Sequence, residues 1–197
     1  MKLLPVFLAG LAALAGCAQA PAPTPASPAM EAPHASAGAT ATAAGQVDAA
    51  PSHLPTVPEL MVNTMTGEKF QLSQHRGHWV VVNFWATWCT PCLAEIPALD
   101  AFDASRADVD VIGLAYEEIE RAQMQAFLKQ HKLSYPIALL DVNKPPADFE
   151  TPAGLPMTYL IRPDGTVARR FLGPIDIGEM QRIIGADPGP KRADKVR

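Results

Sequence analysis

The sequence has only three cysteines among its 197 residues and no run of Lys or Arg before the last few. Three cysteines are too few for a scaffold stapled by disulfides. A formal net charge of −4 without a basic run excludes a nucleic-acid backbone as a natural partner. Long hydrophobic runs are also missing. The apolar stretch Leu3 to Gly16 falls short of the ~20 residues a helix needs to span a bilayer. The length permits one domain of ordinary size or two small ones.

What is present begins with an address. Lys2 precedes the apolar stretch, which closes on Leu14-Ala15-Gly16-Cys17. Small residues followed directly by cysteine resemble the lipobox of bacterial lipoproteins, which implies that Cys17 is acylated and becomes the first mature residue. An ordinary secretory signal that happens to contain a cysteine is the alternative. The expected division is a signal at 1–17, an Ala/Pro-rich tether at 18–53, a folded domain at 54–187 and a disordered tail at 188–197. In the tether no apolar periodicity offers burial to offset the entropy of ordering. Such a chain reaches roughly 30–40 Å, and His34 and His53 need no special role in or beside it. With Cys17 lipidated, two thiols remain, and they lie three positions apart.

From Leu54 onward the pattern is that of an α/β domain. Val80 to Trp85 is a continuous apolar run with β-branched residues, as in a strand covered on both faces. Asp108 to Ala115 predicts a second strand, and 91–105 a helix between them, so the two strands should run parallel. A helix is expected over 118–131 and a short strand over 137–140. Strands at 158–161 and 166–171, joined by Arg162-Pro163-Asp164-Gly165, should form an antiparallel hairpin. Asp176 reads as the N-cap of a last helix that Gly185 ends. Residues 58–72 predict a leading hairpin turning at Thr66-Gly67. The expected whole is a mixed sheet with helices on both faces.

The chemistry is concentrated in Trp85-Ala86-Thr87-Trp88-Cys89-Thr90-Pro91-Cys92, between a buried strand and a helix. Unsatisfied backbone N–H groups and the positive end of the helix dipole favour thiolate there. Such placement lowers a cysteine pKa from about 8.5 into the ~3.5–7.5 range. Cys89, the outer sulfur, is then the nucleophile and Cys92, one turn in, the resolving thiol. Pro91 at the helix start loses no hydrogen bond. The same spacing is also half a zinc site, but two more ligands are needed and no cysteine remains, so no metal is expected. His75 and His78 precede the strand and should lie at the opposite end of the sheet.

The run Val81 to Cys92, followed by Glu95, Pro97 and Leu99, resembles the thioredoxin superfamily, specifically its TlpA/ResA-like extracytoplasmic reductases. The resemblance covers 54–187 and implies a thioredoxin-like three-layer sandwich with an N-terminal hairpin and a central insertion. Its second motif, Gly154-Leu155-Pro156-Met157-Thr158, is similar to the family's cis-proline loop, which implies a cis bond before Pro156. A prolyl ring brings no N–H beside the sulfurs, and the Leu155 backbone is left to pair with an extended client segment. Trp88, Thr90, Pro91 and Leu155 are the expected client-facing positions, and Trp85 is a candidate for the same surface or for the core. Asn83 stands where thioredoxins proper have a titrating Asp, so the resemblance implies that Glu95 handles the proton. A surface carboxylate at a helix N-terminus is the other reading of Glu95. Met157 departs from the common Thr.

Four functions follow. The first is a disulfide reductase acting on extracytoplasmic proteins such as apocytochrome c. It needs no bound cofactor and draws its electrons from a transmembrane thiol carrier of the DsbD/CcdA kind, with the lipid on Cys17 as a membrane anchor and the protein a monomer. The second is an oxidant that introduces disulfides. A peroxidase of the peroxiredoxin type lacks its Pro-x-x-x-Thr-x-x-Cys signature here, and a copper-handling lipoprotein of the Sco type would need Cys-x-x-x-Cys.

Overall fold

The structure, a computed structural model, describes residues 54–187. The expected signal with Cys17, the tether with His34 and His53, and the tail at 188–197 lie outside the described residues.

The central strand β3 (Trp79–Trp85) is buried at every position, as its largely apolar run requires, with Asn83 its one polar residue. It pairs in parallel with β4 (Val109–Ala115) and antiparallel with β6 (Met157–Ile161). Helix α1 (Thr90–Ser105) makes the crossover from β3 to β4. With β5 (Ile137–Leu139) and β7 (Val167–Leu172) the sheet order is β5-β4-β3-β6-β7. A separate hairpin, β1 (Met61–Asn63) and β2 (Lys69–Gln71), turns through Gly67 at φ 92°, a backbone conformation glycine takes without penalty. It is fastened to the large sheet by Met65 N–H donating to the Ile137 carbonyl at 2.7 Å.

Alternate residues of β3 enter two different cores. Trp79, Val81 and Trp85 join Ile96, Leu99 and Phe102 of α1, Met124 of α2 (Arg121–His131), and Met180 and Ile184 of α3 (Ile177–Ala186). Val80, Val82 and Phe84 instead join Leu60, Phe70, Leu72, Phe149 and Tyr159. The three layers are therefore uneven. All three α-helices feed the first core. On the second face the helical element is the 3₁₀ turn Leu72–His75, beside the hairpin and the chain around Phe149.

Several ends shift by a single residue, and two helix ends differ from expectation for a definite physical reason. Helix α2 begins at Arg121 rather than 118, because Glu120 is its N-cap with extended backbone. The Glu120 carboxylate accepts from the backbone of Gln123, whose Oε1 accepts from Glu120 N–H at 3.2 Å. Glu is not among the usual capping residues, so the box does not announce itself in sequence. Nor does Gly185 end α3. The helix runs to Ala186, and Asp187 closes it with its N–H on the Ile183 carbonyl at 3.2 Å. The Asp187 carboxylate is held in turn by Arg162 Nε at 2.9 Å, a tertiary contact that local sequence does not show. At its other end α3 starts as read, with Asp176 accepting from Gly178 N–H at 2.8 Å.

Candidate active site

Helix α1 opens where β3 ends, and Cys89 is its N-cap. The Sγ of Cys89 accepts from the backbone N–H of Cys92 at 3.3 Å, so the sulfur sits on the unsatisfied donors of the first turn. Cys89 and Cys92 form a disulfide. Both cysteines are buried, Cys89 keeping 4% of its surface exposed and Cys92 none. Thr90 and Pro91 between them are exposed. After reduction, the same N–H groups and the helix dipole favour the Cys89 thiolate. The helix continues through Pro97 to Ser105.

Glu95 lies one turn beyond Cys92, on the buried side of α1 and only 6% exposed. The surface-carboxylate reading is thus overturned. Its Oε1 accepts from Asn83 Nδ2 at 2.9 Å and its Oε2 from the backbone N–H of Ile175 at 3.0 Å. Burial pushes its pKa up from 4.5 to about 7, against the opposing pull of those two hydrogen bonds. Asn83 donates a second time, to Thr158 Oγ1 at 2.9 Å. β3, α1 and the turn before α3 therefore meet at this carboxylate, and β6 is joined to them through Asn83.

The Leu155–Pro156 peptide is cis. Pro156 is buried and its carbonyl accepts from Gly173 N–H at 2.8 Å, while Leu155 is half-buried beside it. Of the two tryptophans, Trp88 is 69% exposed and Trp85 fully buried against Phe127. Trp85 is core, and of the two only Trp88 reaches the surface. Met157 is buried in the second core, so it does not face a client directly.

Sequence reading missed Glu117. This buried acid accepts the Thr87 backbone N–H at 2.7 Å and the Thr87 hydroxyl at 2.8 Å, clamping the loop that carries Trp88 and Cys89. The signal was available, because parallel pairing of Trp85 with Ala115 places position 117 beside position 87. His75 and His78 lie at the far end of β3, as expected, each with Nδ1 on Asp110 Oδ2 at 2.8 and 2.9 Å.

Comparison with known proteins agrees with this geometry. The model of the AhpC/TSA family matches residues 55–170. The thioredoxin-like protein YneN of Bacillus subtilis is 32% identical over 133 residues, 66% of this chain and 77% of the relative. The thiol-disulfide oxidoreductase ResA of Bacillus cereus is 32% identical over 118 residues, covering 59% of this chain and 67% of the relative. Among solved structures, a putative thiol:disulfide interchange protein DsbE from Chlorobium tepidum superposes with a TM-score of 0.59 at 23% identity, over 68% of this chain and 96% of that one. StoA from Bacillus subtilis superposes with a TM-score of 0.56 at 23% identity, over 66% and 98%. These two structures share the thioredoxin-like fold. With a Cys-x-x-Cys disulfide at the head of α1 and relatives of this kind, the chain belongs to the AhpC/TSA family as a thioredoxin-like thiol-disulfide oxidoreductase.

Proposed function

We propose that this oxidoreductase works as a reductant, outside the cytoplasm and tethered to a membrane by lipid on Cys17, reducing disulfides in client proteins such as apocytochrome c. The observation that carries the chemistry is the Cys89–Cys92 disulfide on the first turn of α1, with a buried acid one turn below. The Cys89 thiolate attacks one client sulfur, the other leaves as a thiolate, and a mixed disulfide forms. Cys92 gives up its proton and attacks Cys89. The Cys89–client bond breaks, the client sulfur held in the mixed disulfide leaves as a thiolate, two electrons have passed to the client, and the enzyme is back in its disulfide form.

Glu95 is the group that takes and returns the Cys92 proton, since an acid titrating at about 7 is poised for transfer at neutral pH. Trp88, Thr90, Pro91 and Leu155 offer the client surface, with the Leu155 backbone beside the cis Pro156 as a strand partner. The enzyme is regenerated by a thiol donor in the membrane, and the folded domain at 54–187 acts as a monomer on its tether.

The reduction potential of Cys89/Cys92 against a glutathione series decides the direction. A value near about −270 mV, where thioredoxin lies, is expected. A value near about −120 mV, where strong oxidants lie, overturns the reductant and makes the enzyme a source of disulfides. The order of attack has its own test: Cys92→Ser should accumulate a client mixed disulfide through Cys89, and Cys89→Ser should not.

A further inference from the structure

Near the disulfide one buried side chain has no titrating group of its own, yet bonds both Glu95 and Thr158. Asn83 is fully buried at the centre of β3. It gives one Nδ2 hydrogen to Glu95 and the other to Thr158, and its Oδ1 has no partner among the described residues. A buried amide that leaves its acceptor unused while spending both donors is oriented by its neighbours. Thr158 matters to that orientation. Its hydroxyl accepts the second hydrogen and holds the amide beside the acid, while the Glu95 carboxylate, an acceptor alone when ionised, sets which end faces it.

We propose that Asn83 is a positioning residue for the Glu95 carboxylate, holding it in place one turn beyond Cys92 and setting its proton affinity, with Thr158 holding the amide against the acid. This rests on the reading of Glu95 as the proton-handling group and goes beyond it, because it names what adjusts that group. The setting is a balance. Burial alone favours the neutral acid, and donated hydrogen bonds favour the carboxylate. Glu95 has two such donors, and one is the backbone N–H of Ile175, which no substitution there short of proline removes. The Asn83 side chain is thus the adjustable one.

Few other groups compete for control. On α1 itself the nearest thiol is Cys92, and Asp100 and Asp103 lie further along. Ahead of β5, Tyr135 is close enough to feel the Glu95 charge, but its own phenol is held well above the usual range by burial. On this face the strands contribute Arg169 of β7, opposite Leu160 and over the Phe171 ring, while Tyr159 of β6 belongs to the opposite core. In the turn before α3 and on α3, Asp176 is exposed and caps the helix, and Glu179 is paired with Arg169 at 3.3 Å.

The test follows the Glu95 side-chain carboxyl by carbon NMR across pH in the full chain, disulfide form, with the resonance identified by its loss in Glu95→Gln. Asn83→Leu keeps the volume and removes the donor. The Glu95 midpoint should rise by about one pH unit, a tenfold gain in proton affinity. Thr158→Val keeps shape and removes the hydroxyl, and a smaller rise in the same direction is expected. It serves also if Asn83→Leu does not fold. A midpoint unmoved in the folded variants overturns the assignment. The broader role of Glu95 is read separately, from the pH profile of thiol alkylation in reduced Glu95→Gln. A profile identical to the parent's removes Glu95 from proton transfer, while the NMR midpoints still decide what Asn83 does.

Discussion

At the scale of single residues, the site is governed by two buried acids in different surroundings. Glu95 enters an apolar environment under the disulfide and its pKa rises from 4.5 to about 7. Unfolding returns it to water and to the lower value, so between those limits the folded state binds more protons. Stability then falls as pH rises through that window, by about 3 kcal/mol in all if the whole shift is realised. Glu95→Gln carries no charge to desolvate. Urea unfolding of the disulfide form should show parent and variant close together at pH 5 and the variant gaining on the parent by pH 8. Parallel curves would show that burial does not govern this carboxyl. Glu117 acts differently, through Thr87. Glu117→Ala strips two acceptors from the loop before Cys89, which should cost about 1–3 kcal/mol and slow exchange with a model disulfide. Unchanged stability and exchange rate together would make the clamp dispensable. Cys89, Cys92 and the acid at 95 were legible from spacing and resemblance. Glu117 was not singled out, because its partner stands 30 positions away.

At the scale of elements, the strands were easier to read than the helix ends. The run 80–85 and the hairpin at Pro163-Asp164-Gly165 carry their patterns locally, and both appear within a residue or two of expectation. The start of α2 and the end of α3 were displaced because Glu120 caps unusually and Asp187 is held by Arg162, 25 positions earlier. A third feature was invisible in sequence, the tight seam between β4 and β5. A Cβ at Gly113 would stand 2.5 Å from Ile137 Cδ1, 3.0 Å from Trp85 Nε1 and 3.1 Å from Tyr135 Cε2. The Ile137 tip can swing aside, but the two rings cannot easily do so in a close-packed core. Gly113→Ala should therefore destabilise by about 1–3 kcal/mol through overpacking. Adding Ile137→Val should restore only part of the loss, and the cycle of single and double variants measures how much of the strain lies on the strand. Full recovery in the double variant would place all of it on Ile137 and leave the rings out.

At the scale of the whole molecule, the hydrogen bonds to Cys89 and Glu95 among the described residues come from the first turn of α1, from β3 and from the turn before α3. The fold was legible because a buried strand, a Cys-x-x-Cys at a helix start and a prolyl loop each constrain the same architecture. The direction of electron flow was not, because about 30 mV of potential corresponds to only ~1.4 kcal/mol, far below what spacing or periodicity resolves. That potential is set by the surroundings of the two sulfurs: the donors at the head of α1, the acid below and the packing around them. If the segment before Leu54 is only an anchor and tether, it contributes to none of these. A chain cut before Leu54 should keep the potential of the full protein within about 30 mV while losing its association with membranes. A larger change would mean that the leading segment reaches the site and takes part in setting its chemistry. Retained membrane association would instead locate the anchor in the folded domain, and the lipid on Cys17 would no longer be needed to explain it.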